Sequence, residues 1–186
     1  MFDHLLSSIG RALDEAGIAY MVIGGQAVLL YGEPRLTRGI DIALGVDATS
    51  LDRLLVLTHH LGLQPAIKNP AAFVSKTNVL PASDPASGIR VDFIFSFTPY
   101  EAGAIGRAVV RSLEGYPVRY AAVEDVIIHK IFAGRARDLE DVRGILRRHP
   151  ELGDEYLQRW LSELTVAGGR DLWREYLTVR EEKDRS

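Results

Sequence analysis

Ala19-Tyr20-Met21-Val22-Ile23-Gly24-Gly25-Gln26-Ala27-Val28-Leu29-Leu30-Tyr31 is the stretch on which the reading of this chain turns. Residues 19–23 are five consecutive apolar residues, a length that suits a short buried strand rather than a helix. The double glycine stops that run, and residues 26–31 read as helical up to Gly32 and Pro34. A glycine turn between a strand and a helix lets the backbone approach a ligand closely, and the helix N-terminus offers unpaired N–H groups to phosphate. A purely structural turn uses the same glycines, so this stretch alone leaves both readings open.

Further along, Ile40-Asp41-Ile42 and Val91-Asp92-Phe93 repeat one pattern, a carboxylate between large apolar residues. Both lie in strand-like runs, Ile40 to Val46 and Ile89 to Phe95. Burying a carboxylate is costly without a partner or a metal. Side chains alternate across a strand, so the spacing predicts Asp41 and Asp92 on one sheet face, near the glycine turn. Together they could hold Mg²⁺ through oxygen ligands, with substrate phosphates filling the remaining positions. The alternative is two strand-edge aspartates that face water or pair with Arg90 or Arg35.

A third feature is His129-Lys130 followed by Arg135, Asp138 and Asp141. Residues 129–149 hold six basic side chains against three acidic ones, a bias that would favour a polyanion beside a phosphate site. Lys130 and Arg135 are then expected to border the same cleft. The ordinary alternative is a solvated helix pair whose Arg and Asp residues pair across the turn.

The remaining elements frame these features. Phe2, Leu5, Leu6, Ile9, Leu13 and Ala16 recur at helical spacing and stop at Gly17. Thr49 or Ser50 caps a helix that runs to Gly62. Residues 64–88 hold four of the eight prolines, so they read as loop with one strand around Phe73 to Val79. A short helix at 99–107 and a hairpin pairing Val109–Leu113 with Val118–Tyr120 follow, then helices at 123–133, 138–148, 152–166 and 170–181. The expectation is an α+β chain: a core at 1–122 with a small mixed sheet, and a C-terminal helical segment at 123–186 packed on it as a single compact unit.

With 186 residues, 47% hydrophobic and 25% charged, the chain is of globular composition, which argues against disorder and fibres. Its net charge of −3 gives no global signal for nucleic acid or an anionic membrane. Cysteine is absent, which removes disulfides, thiolate zinc sites and cysteine nucleophiles. No apolar run approaches a spanning length, and the first 17 residues do not read as a secretory signal, so a cytoplasmic protein without membrane contact is expected.

The order of these features resembles the nucleotidyltransferase superfamily with the polymerase-beta-like fold, and within it the AbiEii-type toxin and minimal nucleotidyltransferase group. The matching text is residues 21–27, Pro34-Arg35-Leu36-Thr37-Arg38-Gly39-Ile40-Asp41-Ile42, Arg90-Val91-Asp92-Phe93-Ile94, residues 124–135, and Asp138-Leu139-Glu140-Asp141-Val142. It spans roughly residues 5–148. The resemblance implies a nucleotidyltransferase that moves an NMP group from an NTP to a hydroxyl of an RNA or protein acceptor, tRNA included. It also implies toxin–antitoxin biology with a cognate antitoxin protein. In that family two carboxylates in an Asp-x-Asp pattern and a third on a neighbouring strand bind two divalent ions. Carried over, Asp41 and Asp92 are catalytic and bind Mg²⁺ or Mn²⁺, while Gly24, Gly25, Arg35, Thr37 and Lys130 bind nucleotide. The chain departs from the pattern at residue 39, where Gly stands in place of the first Asp. The fold expectation is untouched, but weak or undetectable transfer is expected. A catalytically degenerate nucleotide- or partner-binding module of the same fold is the alternative.

Overall fold

A computed structural model describes residues 1–37, 39–96 and 98–183; Arg38 of the quoted motif lies outside the described residues. The elements, in chain order, are α1 (Phe2–Glu15), β1 (Tyr20–Ile23), α2 (Gly24–Tyr31) and β2 (Gly39–Leu44). A 3₁₀ turn (Ala48–Ser50), α3 (Leu51–His60), β3 (Gln64–Pro65), α4 (Pro70–Thr77), β4 (Val79–Ser83) and β5 (Arg90–Phe95) come next. Then follow α5 (Pro99–Gly106), β6 (Val109–Leu113), β7 (Tyr116–Tyr120), α6 (Val123–Ala133), α7 (Ala136–Arg148), α8 (Glu155–Gly168) and α9 (Leu172–Glu182). Among the described residues no helix is long and apolar enough to cross a membrane.

The strands form one mixed sheet in the order β3-β4-β5-β2-β1-β7-β6. β2 runs antiparallel to β1 and parallel to β5. Alternation decides which way each side chain faces. Ile40, Ile42, Val91 and Phe93 are fully buried, and each such burial contributes about 1.5–3 kcal/mol. Their intervening partners Asp41 and Asp92 are thereby turned to the other face, where both are only half-buried.

The expected strand at Phe73 to Val79 is instead α4 followed by β4. Asn69 accepts a hydrogen bond from the Ala72 N–H at 3.1 Å, and Pro70 sits in the first turn. A capping side chain followed by proline starts a helix, and these local signals outweigh the loop-like proline content. Asn78, in the left-handed conformation, ends it.

The chain divides into two compact units, residues 1–26 with 37–121, and residues 27–36 with 122–186. The first holds the sheet with α1, α3, α4 and α5. There α1 lays Leu6, Ile9 and Leu13 into the core, and its Asp14 accepts hydrogen bonds from Tyr116 and Arg119 of β7, each at 2.6 Å. The second holds α6 to α9 and the segment 27–36. Arg148 and Arg137 of α7 donate to the carbonyls of Gly32 and Leu36, at 2.7 and 3.2 Å. That is why this early segment belongs with the late helices.

Candidate active site on the sheet

Asp41 and Asp92 are direct cross-strand partners in the parallel β2–β5 pair. Neighbouring strands are about 4.8 Å apart, so the two carboxylates share one face at close range. Like charges placed opposite one another destabilise a sheet. Arg90 offsets part of this by donating to Asp92 Oδ2 at 3.4 Å. Asp92 Oδ1 is buried and accepts no hydrogen bond. A desolvated carboxylate oxygen without a donor is costly, and beside a second carboxylate it is suited to a cation.

Gly24 sits against the same pair. Its φ of +60° is a conformation that side chains avoid, and a Cβ there would overlap Asp41 Oδ2 and lie 2.7 Å from Asp41 Cγ. The glycine turn is thus the space into which the Asp41 carboxylate fits. Ile23, one residue earlier, is Asp41's partner across β1 and β2. The expected neighbourhood of Gly24, Asp41 and Asp92 is therefore present, with Gly25 following in the first turn of α2. Thr37 donates to the Gly39 carbonyl at 2.9 Å and fixes the entry into β2.

Position 39 faces Arg90. The two are cross-strand partners one step along from the aspartate pair, and a Cβ at 39 would stand 3.1 Å from the Arg90 carbonyl oxygen. Among the described residues no group of three His, Asp or Glu side chains is placed to hold a metal. Asp41 and Asp92 by themselves offer oxygen ligands enough for one divalent ion at most, and the third carboxylate of a two-ion site is absent among the described residues. Arg90 is the side chain that the sequence reading left among ion-pair partners. Two-residue alternation from Asp92 was the signal that puts it on the functional face.

The cations expected at nucleotide in the second unit are engaged with carboxylates. Lys130 is 7% exposed and contacts Asp138 Oδ1 at 2.7 Å and Asp141 Oδ2 at 2.9 Å. Arg35 grips the same Asp141, with Nε 2.8 Å from Oδ1 and Nη2 donating to Oδ2 at 3.0 Å. Arg135 donates to Asp138 at 2.6 Å, the pairing foreseen as the alternative for this segment. Burial would raise the Asp138 pKa, but hydrogen bonds from Arg135 and Lys130, with their charges, hold it below the usual value. Burial, helped by the Lys130 charge, pushes His129 down to about 4.

No protein-family model and no curated protein matches the chain. Solved structures do. An antigenic nucleotidyltransferase-like protein from Paracoccidioides brasiliensis is similar at 16% identity and a TM-score of 0.57, covering 96% of this chain and 92% of that one. The antibiotic-resistance factor ANT(2'')-Ia, in complex with adenylyl-2''-tobramycin, is similar at 18% identity and a TM-score of 0.55, covering 83% and 91%. The lincomycin-bound lincosamide antibiotic adenylyltransferase LnuA is similar at 12% identity and a TM-score of 0.50, covering 72% and 89%. These likenesses establish the class of architecture: the chain has the nucleotidyltransferase fold.

Proposed function

We propose that this chain binds a nucleoside triphosphate at the Asp41–Asp92 face and transfers its NMP group, slowly, to an acceptor hydroxyl, the α–β phosphate bond breaking to release pyrophosphate and the hydroxyl proton passing to solvent. The observation that carries the reading is the cross-strand aspartate pair with an unsatisfied Asp92 oxygen and a glycine cleared for Asp41. Asp41 and Asp92 would hold one Mg²⁺ or Mn²⁺, which when bound neutralises phosphate charge and activates the attacking oxygen. The chain itself supplies placement. Gly24 keeps backbone rather than side chain beside Asp41, and Thr37 fixes the strand that carries Asp41; a nucleotide contact by Gly25 rests on the sequence resemblance. Nucleotide contacts by Arg35 and Lys130 rest on the sequence resemblance alone; in the structure both cations are held by Asp141.

Adenylyl-2''-tobramycin and lincomycin in the similar structures make ATP the first donor to try and a hydroxyl-rich antibiotic one acceptor. The AbiEii-type toxin role, with tRNA or protein as acceptor and an antitoxin partner, rests on the sequence resemblance and supplies the other acceptors. The test is label transfer from each NTP with Mn²⁺ onto all three acceptor classes, by this chain, Gly39→Asp and Asp92→Asn. Faint transfer by the chain, at least about 100-fold more by Gly39→Asp, and none by Asp92→Asn is expected. Robust, equal rates in the chain and Asp92→Asn would overturn the reading. The second reading, a nucleotide-binding module without catalysis, is favoured by Gly39 itself. It predicts NTP binding with no transfer even in Gly39→Asp.

A further inference from the structure

A triphosphate carries up to four negative charges, whereas two aspartates with one divalent ion are electrically neutral. A face built only from Asp41, Asp92 and one ion therefore lacks the positive charge needed to hold the triphosphate. The structure shows where more charge lies. Arg90 is on the same face of β5 as Asp92, two residues earlier, and its side chain is 66% exposed. Its guanidinium reaches back to Asp92 Oδ2 at 3.4 Å, a long and loosely held contact. Across the strand stands Gly39, which offers no carboxylate to take that charge up.

We propose that Arg90 is the triphosphate-binding residue of this site, supplying the positive charge that a second divalent ion would otherwise bring. This rests on the proposed nucleotide site and deepens it. Among the described residues, two carboxylates, one divalent ion and one guanidinium leave a single positive charge on the face. Three carboxylates with two divalent ions leave the same. Gly39 and Arg90 thus form a matched pair: with an aspartate at 39 a second ion would supply the charge, and Arg90 would no longer be needed for it. A guanidinium binds phosphate oxygens through two parallel donors. It cannot bridge the acceptor oxygen and the α-phosphate as a second ion would, so such a site binds nucleotide well but aligns the reacting atoms less closely and transfers slowly.

The test measures binding, using a fluorescent ATP analogue with Mg²⁺ and counting bound Mn²⁺ by the loss of the free-ion electron paramagnetic resonance signal. Arg90 is exposed, so its variants should fold, and thermal melting checks this. Arg90→Ala is expected to weaken analogue binding about tenfold, the loss of a charged hydrogen bond, and Arg90→Lys to recover part of it. This chain should bind one Mn²⁺ with nucleotide. The double variant Gly39→Asp/Arg90→Ala should bind two and regain affinity. If Arg90→Ala binds as tightly as the parent while Asp92→Asn loses Mg²⁺-dependent binding, the nucleotide site stands and the role of Arg90 is refuted. If neither nucleotide nor Mn²⁺ binding depends on Asp41 or Asp92, the nucleotide site itself fails and this proposal with it.

Discussion

At the scale of single residues the site depends on what two glycines do not carry. Gly24 leaves room for the Asp41 carboxylate and holds a φ of +60°. Gly24→Ala should therefore cost about 2 kcal/mol, from strain plus overlap. Urea unfolding should show this, with Mn²⁺ affinity lost in the same variant. Gly39 has a milder constraint. A Cβ there comes to 3.1 Å of a backbone oxygen, so the strands must yield by a few tenths of an ångström. Gly39→Ala should lower stability by under about 1 kcal/mol, and it separates the steric effect from the chemistry of Gly39→Asp. Both aspartates were legible in the sequence because their neighbours are large and apolar and strands alternate. The partnership of Gly39 with Arg90 was not, because register is set by tertiary pairing rather than by either strand alone.

Among the elements, α6 and α7 are joined by a buried ion network centred on Lys130. Its two carboxylate partners are 4% and 6% exposed at the side chain, so removing the ammonium would leave two buried carboxylates with one arginine each, Asp138 with Arg135 and Asp141 with Arg35. Lys130→Met should destabilise the chain by about 3–5 kcal/mol, and adding Asp138→Asn should restore part of the loss, as thermal unfolding can show. The same helix makes stability depend on pH. In the unfolded chain His129 takes up a proton near its ordinary value of 6.5, and in the folded chain only near 4. Between those values the unfolded chain binds more protons, so acidification erodes stability. The effect is on the order of 3 kcal/mol once pH has fallen through 4. Asp138 adds to it at lower pH: its contribution is full above 3.8 and lost as pH falls through its lower folded value. Urea midpoints from pH 7.5 to 4 should fall in the parent and much less in His129→Gln. Most elements could be read from periodicity and glycine stops. The error at α4 arose because prolines were counted as breakers, although Asn69-Pro70 is a helix start.

For the molecule as a whole, the informative feature is the division into two units. Composition and helix periodicity showed helices after residue 122, but they could not show that residues 27–36 belong with them. The ties are made by single side chains, Arg35 to Asp141 and Arg148 to the Gly32 carbonyl, separated by 106 and 116 residues. No local pattern records pairings that distant. A chain cut after residue 121 would leave Arg35 without Asp141 and Gly32 without Arg148. Such a fragment should lose the protection of 27–36 in hydrogen exchange while β1, β2 and β5 keep theirs. Equal protection of 27–36 in fragment and whole chain would refute the division.

That interleaving also dictates an order of events during synthesis. Residues 27–36 leave the ribosome long before α7 exists, and at roughly 5–20 residues per second the wait is roughly 5–20 s. Throughout that interval Ala27, Val28 and Tyr31, buried in the finished protein, lack the late helices of their own unit. The nascent chain therefore passes through a stage in which its sheet can be assembled while a sticky ten-residue segment hangs free. Nascent chains arrested before residue 141 should be cut by protease within 27–36 and retained by a hydrophobic chaperone such as trigger factor, and the completed, released chain should be neither.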